Sequence, residues 1–475
     1  MRNFIIIVLL AVFAAIPAAA QDNEAQVQTV IERLTEAYGG ESLTGMTSVA
    51  ISSNRKLAWP GQGQTAGFVE FEDDRLRKHF DLVNEWGSME RWTHQNGNVY
   101  HNRFVVTADG ATALDYFERS ATRSERGGFW QWFNVDFRSS DALLAYRLAT
   151  GDVAVEHRGT ATYGGNTHDL LEFAVYPETQ ALVAYVSRRD GLIHRITMDR
   201  EIGAVNLIFS NHRESGGVRY ASSVHTYLGD TLTKYDEGLH FIPNADVTQA
   251  IAIEAGFSPP AEPVEMSEMT VEEIAAGAFV VGQGDYGLFA LHDGGVIAVN
   301  AYAGLKDRYE AFIAHIGQDL PLSGVIVTHH HSDHMDAVPE AVELGATLYL
   351  TPESHAALEL DSTKVQILSP DDTVGPFSVF VRGTSHASEN AFVYHAASKA
   401  LFQDDHYHGL IADGPTRVQP SAMEIHRIIE GLGIDVAFLI SGHSRKAERW
   451  ETFLEAMQKP ESGELCPSQR DICRS

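Results

Sequence analysis

The sequence predicts an α/β chain in two parts: a mainly antiparallel β domain, built as a curved sheet with a helix, and then a domain in which strands alternate with helices. Three observations lead there. The chain has 475 residues, more than the roughly 250–300 at which a single core stops growing. Its hydrophobic rhythm changes from simple alternation to mixed periods near residue 257. Between the two rhythms, Phe257 to Glu268 holds three prolines and three acids, which opposes both helix and central strand. The expected organisation is a leader at 1–20, a β-rich domain at 21–256, a linker at 257–268, a second domain at 269–460 and a tail at 461–475.

The leader comes first. Arg2 gives a positive start, Phe4 to Ile16 is apolar, and Ala18-Ala19-Ala20 offers small residues before Gln21. This pattern reads as a secretory signal peptide, so the expected location is periplasmic or secreted. The apolar run is shorter than the ~20 residues that span a bilayer, no later segment is a candidate span, and no Cys follows the small residues to carry a lipid. Cys466 and Cys473 are the only cysteines; in an exported protein such a pair suits a local disulfide.

Next, Val27, Val30, Ile31, Leu34 and Tyr38 share a helical face that Gly39-Gly40 terminates. From about residue 46 to 243 the pattern alternates. Leu171, Phe173 and Val175 lie on one strand face, Asp190-Gly191 breaks the run from Leu182 to Met198, and Glu214-Ser215-Gly216-Gly217 separates two further strands. Successive hairpins behind one helix predict an antiparallel sheet curled over that helix. The layout over about residues 22–245 resembles the lipoprotein-carrier-like fold of periplasmic proteins, which implies a concave apolar face for an apolar ligand or for the neighbouring domain.

Beyond the linker, Gly295 to Asn300 reads as a strand, Leu305, Tyr309, Phe312 and Ile316 as a helix face, and Gly324 to Thr328 as a strand. Asp336 to Leu344 reads as helix. Val379 to Val381, Ala391 to Tyr394 and Ala400 to Phe402 read as strands, and Ser421-Ala422-Met423-Glu424 as a capping box opening a helix. Val436 to Ile440 is a buried strand and Lys446 to Met457 a closing helix. The composition, 44% apolar with a net charge of −29, is that of a globular acidic protein that repels nucleic-acid phosphates.

Thr328-His329-His330-His331-Ser332-Asp333-His334 follows the apolar strand Val325-Ile326-Val327, where the chain turns into a loop. Histidines at i and i+2 on extended backbone project to one side, so His329 and His331 can reach one ion. The turn then offers Asp333 and His334 to a second. Neutral imidazole and carboxylate are the ligands that zinc takes. An affinity tag or scavenging tract would not sit internally between a strand and a helix. By the same alternation His330 should face away from the metals, exposed or capping the core. His406 and His408 are expected at the pocket mouth, and His355, His395 and His426, which lack a ligand pattern, on the surface.

His329-x-His331-x-Asp333-His334 resembles the hallmark of the metallo-β-lactamase superfamily, and three further motifs follow in that family's order. Gly383-Thr384-Ser385-His386 is similar to the loop of the third histidine. Leu401-Phe402-Gln403-Asp404-Asp405 is similar to the strand end Leu-Phe-x-Gly-Asp, and Ile440-Ser441-Gly442-His443 to the strand that ends in Gly-His. Over about residues 269–457 the resemblance implies an αββα sandwich binding two zinc ions. His329, His331 and His386 would hold the first, Asp333, His334 and His443 the second, and Asp405 would bridge. Asp404 stands where the family has Gly, which leaves open which of the two carboxylates bridges, although the register favours Asp405. Asn300 stands where related proteins often carry an Asp that supports the metal loop; a neutral amide pulls less on a ligand.

A divalent pair lowers the pKa of water from near 16 toward ~7. The resemblance therefore implies an exported hydrolase whose metal-activated hydroxide attacks a small-molecule ester, lactone, thioester, amide or phosphoester, with Asp333 as the catalytic residue that orients the nucleophile and takes its proton. No nucleophile-elbow Gly-x-Ser-x-Gly competes. Diiron electron-transfer members carry Glu at the position of His331. Lactamases with a Cys ligand are excluded because both cysteines follow His443. Nuclease members carry a large insertion where only 37 residues separate Asp405 from His443. Two alternatives stay open: a dioxygenase-type member with one iron on His329, His331 and His386, and a non-catalytic periplasmic protein that binds an apolar ligand beside a metal scaffold. Oligomeric state is not legible.

Overall fold

A computed structural model describes residues 18–459 apart from 96, 125–126, 152, 201, 260–261, 263–265, 276, 359, 361–363 and 409–416. Most of the leader, part of the linker and both cysteines therefore lie outside the described residues. The chain divides into two compact units. One comprises Met1–Val49, Trp130–Leu232 and Glu237–Ala245; the other comprises Ala50–Phe129, Thr233–Asp236 and Asp246–Ser475.

In the first unit the helix Ala18–Tyr38 packs on the strands Val155–Tyr163 and Val218–Leu228 and on the helix Asp141–Thr150. Val30, Leu34 and Tyr38 are its buried stripe, with a spacing of four residues that keeps them on one face. Tyr38 anchors the helix end: its hydroxyl donates to Asp141 Oδ2 (2.8 Å) and accepts from the Ile193 amide (3.1 Å). Buried Asp141 is satisfied further by His212 Nε2 and the Ala221 amide, both at 2.9 Å, as a buried carboxylate requires. Six strands from Val155 to Leu228 pair antiparallel with their chain neighbours. Ser215 pairs Val218 across Gly216-Gly217, both with positive φ, the two-residue turn that the sequence predicts.

In the second unit an antiparallel meander runs through Glu72–Asp81, Trp86–Gln95, Asn98–Thr107, Gly110–Asp115 and Ser120–Arg123. Two further sheets follow. The first orders its seven strands in chain sequence from Thr270–Ala275 to Val365–Ile367, and the second its six from Asp371–Val374 to Glu448–Arg449. Alternation along the strands produces the layering. Val280, Leu288, Ile297 and Ile326 of the first sheet share a core with Phe377, Val379, Val393, Phe402 and Ile440 of the second. On the opposite faces, Phe279, Val281 and Phe289 pack with Phe312 and Val338 from helices, while Phe392, Leu401 and Leu439 pack with Ile425, Ile429 and Phe453. The result is helix, sheet, sheet, helix.

Several local expectations are corrected. The helix Pro420–Leu432 begins at Pro420 with no side-chain cap. Ser421 instead donates its hydroxyl to the His406 carbonyl (2.8 Å), and Glu424 accepts from the Ser385 amide and hydroxyl (3.0 and 2.9 Å), so tertiary partners replace the capping box. The helix expected over Asp336 to Leu344 is present at Val338–Glu343, and a further single helical turn precedes it at Ser332–Met335. The closing helix is Trp450–Ala456, because Glu448–Arg449 pairs with Phe438–Leu439.

Candidate metal centre

Strand pairing brings the motif loops together. Val299 pairs Ile326 in parallel, and Phe402 pairs Ile440 in parallel, so the segments leaving these strands emerge at one edge of the sandwich. Bonds between loops lock them: Asn300 N to Ile326 O (2.8 Å), Gln403 N to Ile440 O (2.9 Å), Ala391 N to Thr328 O (2.7 Å) and Tyr286 N to Gly442 O (2.7 Å).

All seven sequence-predicted ligands meet there in two groups, and a third, overlapping group joins His329, His334 and Asp404. His329, His331, His386 and Asp405 place one donor atom each within 4.8 Å of one another, and so do Asp333, His334 and His443. Asp405 touches both groups. Its Oδ2 lies 3.0 Å from His334 Nε2 and 3.1 Å from His386 Nε2, and its Oδ1 lies 3.2 Å from His443 Nε2. The three histidines of the first group are buried, whereas the Asp333 and His443 side chains are 40% and 35% exposed; the centre opens to solvent on that side.

Asp404 has a different role despite its neighbouring position. It starts a single 3-10 turn at positive φ and is buried among donors: Asn300 Nδ2 to both oxygens (2.9 and 3.1 Å), Tyr302 hydroxyl (3.1 Å), Thr328 hydroxyl and His334 Nδ1 (2.8 Å). Its lone pairs are taken by protein groups that orient His334 from behind. Asn300, itself at positive φ, thus supports the ligand loop through Asp404. Asp285 plays the matching part for His443, with Oδ1 at 3.0 Å from Nδ1. Such carboxylate–histidine pairs fix ring orientation in metal sites.

The electrostatics show how well the donor set suits a cation. Burial, reinforced by neighbouring imidazoles, holds His329 well below the usual histidine range and His331 at about 3. These rings are neutral and keep a lone pair, as ligation requires. Burial works against charge on His443 and His334 too, but hydrogen bonds with Asp285 and Asp405 raise His443 to about 10, and the Asp404 and Asp405 carboxylates raise His334 well above its usual range. The neighbouring carboxylates thus favour positive charge at these two positions, whether carried by a proton or by a cation. His331 Nδ1 is buried without a hydrogen-bond partner, the kind of orphaned lone pair that an ion satisfies. The residues fit a divalent metal.

The other histidines meet expectation in part. His330 is buried, with Nε2–H donating to the Gly63 carbonyl (2.9 Å). His406 is buried rather than at a mouth, bonded to the Gln403 carbonyl (3.0 Å) and the Thr384 hydroxyl (2.8 Å), which in turn receives the His386 amide (3.2 Å). His408 contacts Ser441 Oγ at 2.9 Å, its ring 5.5 Å from that of His443. His395 is buried against Ser398, and His426 is half-buried and stacked on Trp450; His355 is exposed. The sequence reading missed Asp285, Tyr302, Gln62 and Gly63. The two acidic or phenolic residues belong to no motif, and the last two lie some 270 positions from their partners.

Fold and donor set together define a four-layer α/β protein with a candidate metal centre of histidines and carboxylates. No known protein-family profile matches the sequence, and no curated protein does. Among solved structures, the chain is similar to the metallo-β-lactamase DIM-1, at 19% identity over 40% of this chain and 95% of that one, with a TM-score of 0.33. It is similar to a metallo-β-lactamase from Hirschia baltica at 18% identity over 40% and 95%, with a TM-score of 0.32. A DUF1329 family protein from Desulfovibrio piger is similar at 12% identity over 48% and 98%, with a TM-score of 0.33. Among the described residues no helix is long and apolar enough to cross a membrane.

Proposed function

We propose that the chain is an exported zinc-dependent hydrolase of the metallo-β-lactamase superfamily, acting on a small-molecule ester, lactone, thioester, amide or phosphoester. The observation that carries this reading is Asp405, whose two oxygens face nitrogens from both ligand groups. His329, His331 and His386 would hold one ion, Asp333, His334 and His443 the other, with Asp405 between them and Asp404 behind. Bound zinc would supply Lewis acidity toward a carbonyl or phosphoryl oxygen and acidify water toward a pKa of ~7. The protein supplies placement. Asp404 and Asp285 fix the rings of His334 and His443 through Nδ1, and Asp333, the most exposed of the ligand carboxylates, takes a proton at the open side. Export rests on the leader.

Metal analysis of the purified chain, with a panel of ester, lactone, thioester and β-lactam substrates, tests the reading. Two zinc ions per chain and turnover lost in His331→Ala are expected. Metal without turnover on any substrate would favour a binding scaffold, and one iron with oxygen uptake would sink the hydrolase.

A further inference from the structure

We propose that the connection from Ala58 to Phe71, far from the ligand motifs in sequence, is a working part of this centre, in which Gln62 and Gly63 position Asp333 and His331. The inference rests on the two-metal reading above and goes further in naming what holds two of its ligands. The segment is bonded to the ligand loop at successive residues. Ser332 N donates to Gly61 O (3.1 Å), Gln62 Nε2 donates to Asp333 Oδ1 (2.6 Å) and Ser332 Oγ (3.2 Å), and the Gly63 carbonyl accepts from His331 Nε2 (3.1 Å). Gln64 extends the seam to the loop of the third histidine, with Nε2 donating to Thr384 O (2.8 Å) and its carbonyl accepting from Ser388 N (2.7 Å).

Two of these bonds determine which atom a ligand presents. A carbonyl can only accept, so His331 carries its proton on Nε2 and the neutral ring turns a bare Nδ1 inward. That is the buried nitrogen without a partner. Asp333 is divided in the same way. Gln62 occupies Oδ1, while Oδ2 faces His334 Nε2 at 3.4 Å and His443 Nε2 at 3.9 Å. The amide thus holds the carboxylate with one oxygen toward the second ion. Contacts of this kind around a ligand commonly account for 10–100-fold in metal affinity.

Gln62→Glu tests this, because it keeps the side-chain shape and replaces the amide donor with an oxygen that repels Asp333; Gln62→Ala removes the contact without repulsion. Zinc titration of the full-length chain against a chromophoric chelator should show the second ion bound about 10-fold more weakly in Gln62→Ala and more weakly still in Gln62→Glu, with the first ion unaffected. The absorption spectrum of the cobalt-substituted protein should change only in the component belonging to the second ion. A wild-type chain that takes up no second ion overturns both the hydrolase reading and this one. Two ions in the wild type, with both variants matching its affinities and cobalt spectrum, overturn this inference alone.

Discussion

Gly442 precedes His443 in a space where a Cβ would collide with the Tyr302 hydroxyl and with Asp404 Oδ1. Both neighbours are buried and bonded to one another (3.1 Å), so neither can withdraw without leaving a polar group unpaired. Gly442→Ala is therefore expected to destabilise the fold by about 1–3 kcal/mol, the usual cost of overpacking, and to displace His443. Urea unfolding and zinc titration of the variant check this, and wild-type values in both would refute it. At this scale the candidate ligands were legible because motif spacing on a strand end dictates direction. The choice between Asp404 and Asp405 was not. Adjacent carboxylates look alike in sequence, and only the donors Asn300, Tyr302 and Thr328 around Asp404 separate their roles.

Helices and strands were placed well where one periodicity dominated, as in Ala18–Tyr38 and in the hairpin at Gly216-Gly217. The capping box at Ser421 failed because its side chains found stronger tertiary partners. The helix Ala18–Tyr38 is clamped to its sheet by Arg33, which donates to Asp169 Oδ2 at 2.5 Å; His157 and Arg188 reach the same carboxylate. Partial burial opposes the charge on Asp169, but these hydrogen bonds prevail and hold its pKa at about 2. A carboxylate depressed in the folded state stabilises fully above its unfolded pKa of ~3.9 and loses that contribution as pH falls through the folded value. The stability difference between wild type and Asp169→Asn should accordingly stay constant from pH 7 to about 5 and shrink between about 4 and 2. Chemical denaturation across that range measures it, and a gap undiminished near pH 2 would contradict the assignment.

For the whole molecule, a centre whose histidines and carboxylates are brought within reach of one another only by the fold should bind divalent ions preferentially in the folded state. Free zinc at about 100-fold above Kd then adds about 2.7 kcal/mol of stability. Thermal unfolding with zinc and with a chelator tests this; coincident transitions would count against the site. The sequence by itself determined the class of fold, the acidic net charge, and the seven candidate positions that the fold gathers, because periodicity and strand-end spacing are local and survive without coordinates. Only the tertiary structure decided that residues 50–129 belong to the same compact unit as the ligand motifs, that Asp285 backs His443, and that Gln62 and Gly63 reach Asp333 and His331. These contacts join residues more than 150 positions apart. Nothing local encodes them, because one hydrogen bond needs only a single donor or acceptor brought within about 3 Å, and chain folding alone sets which one arrives.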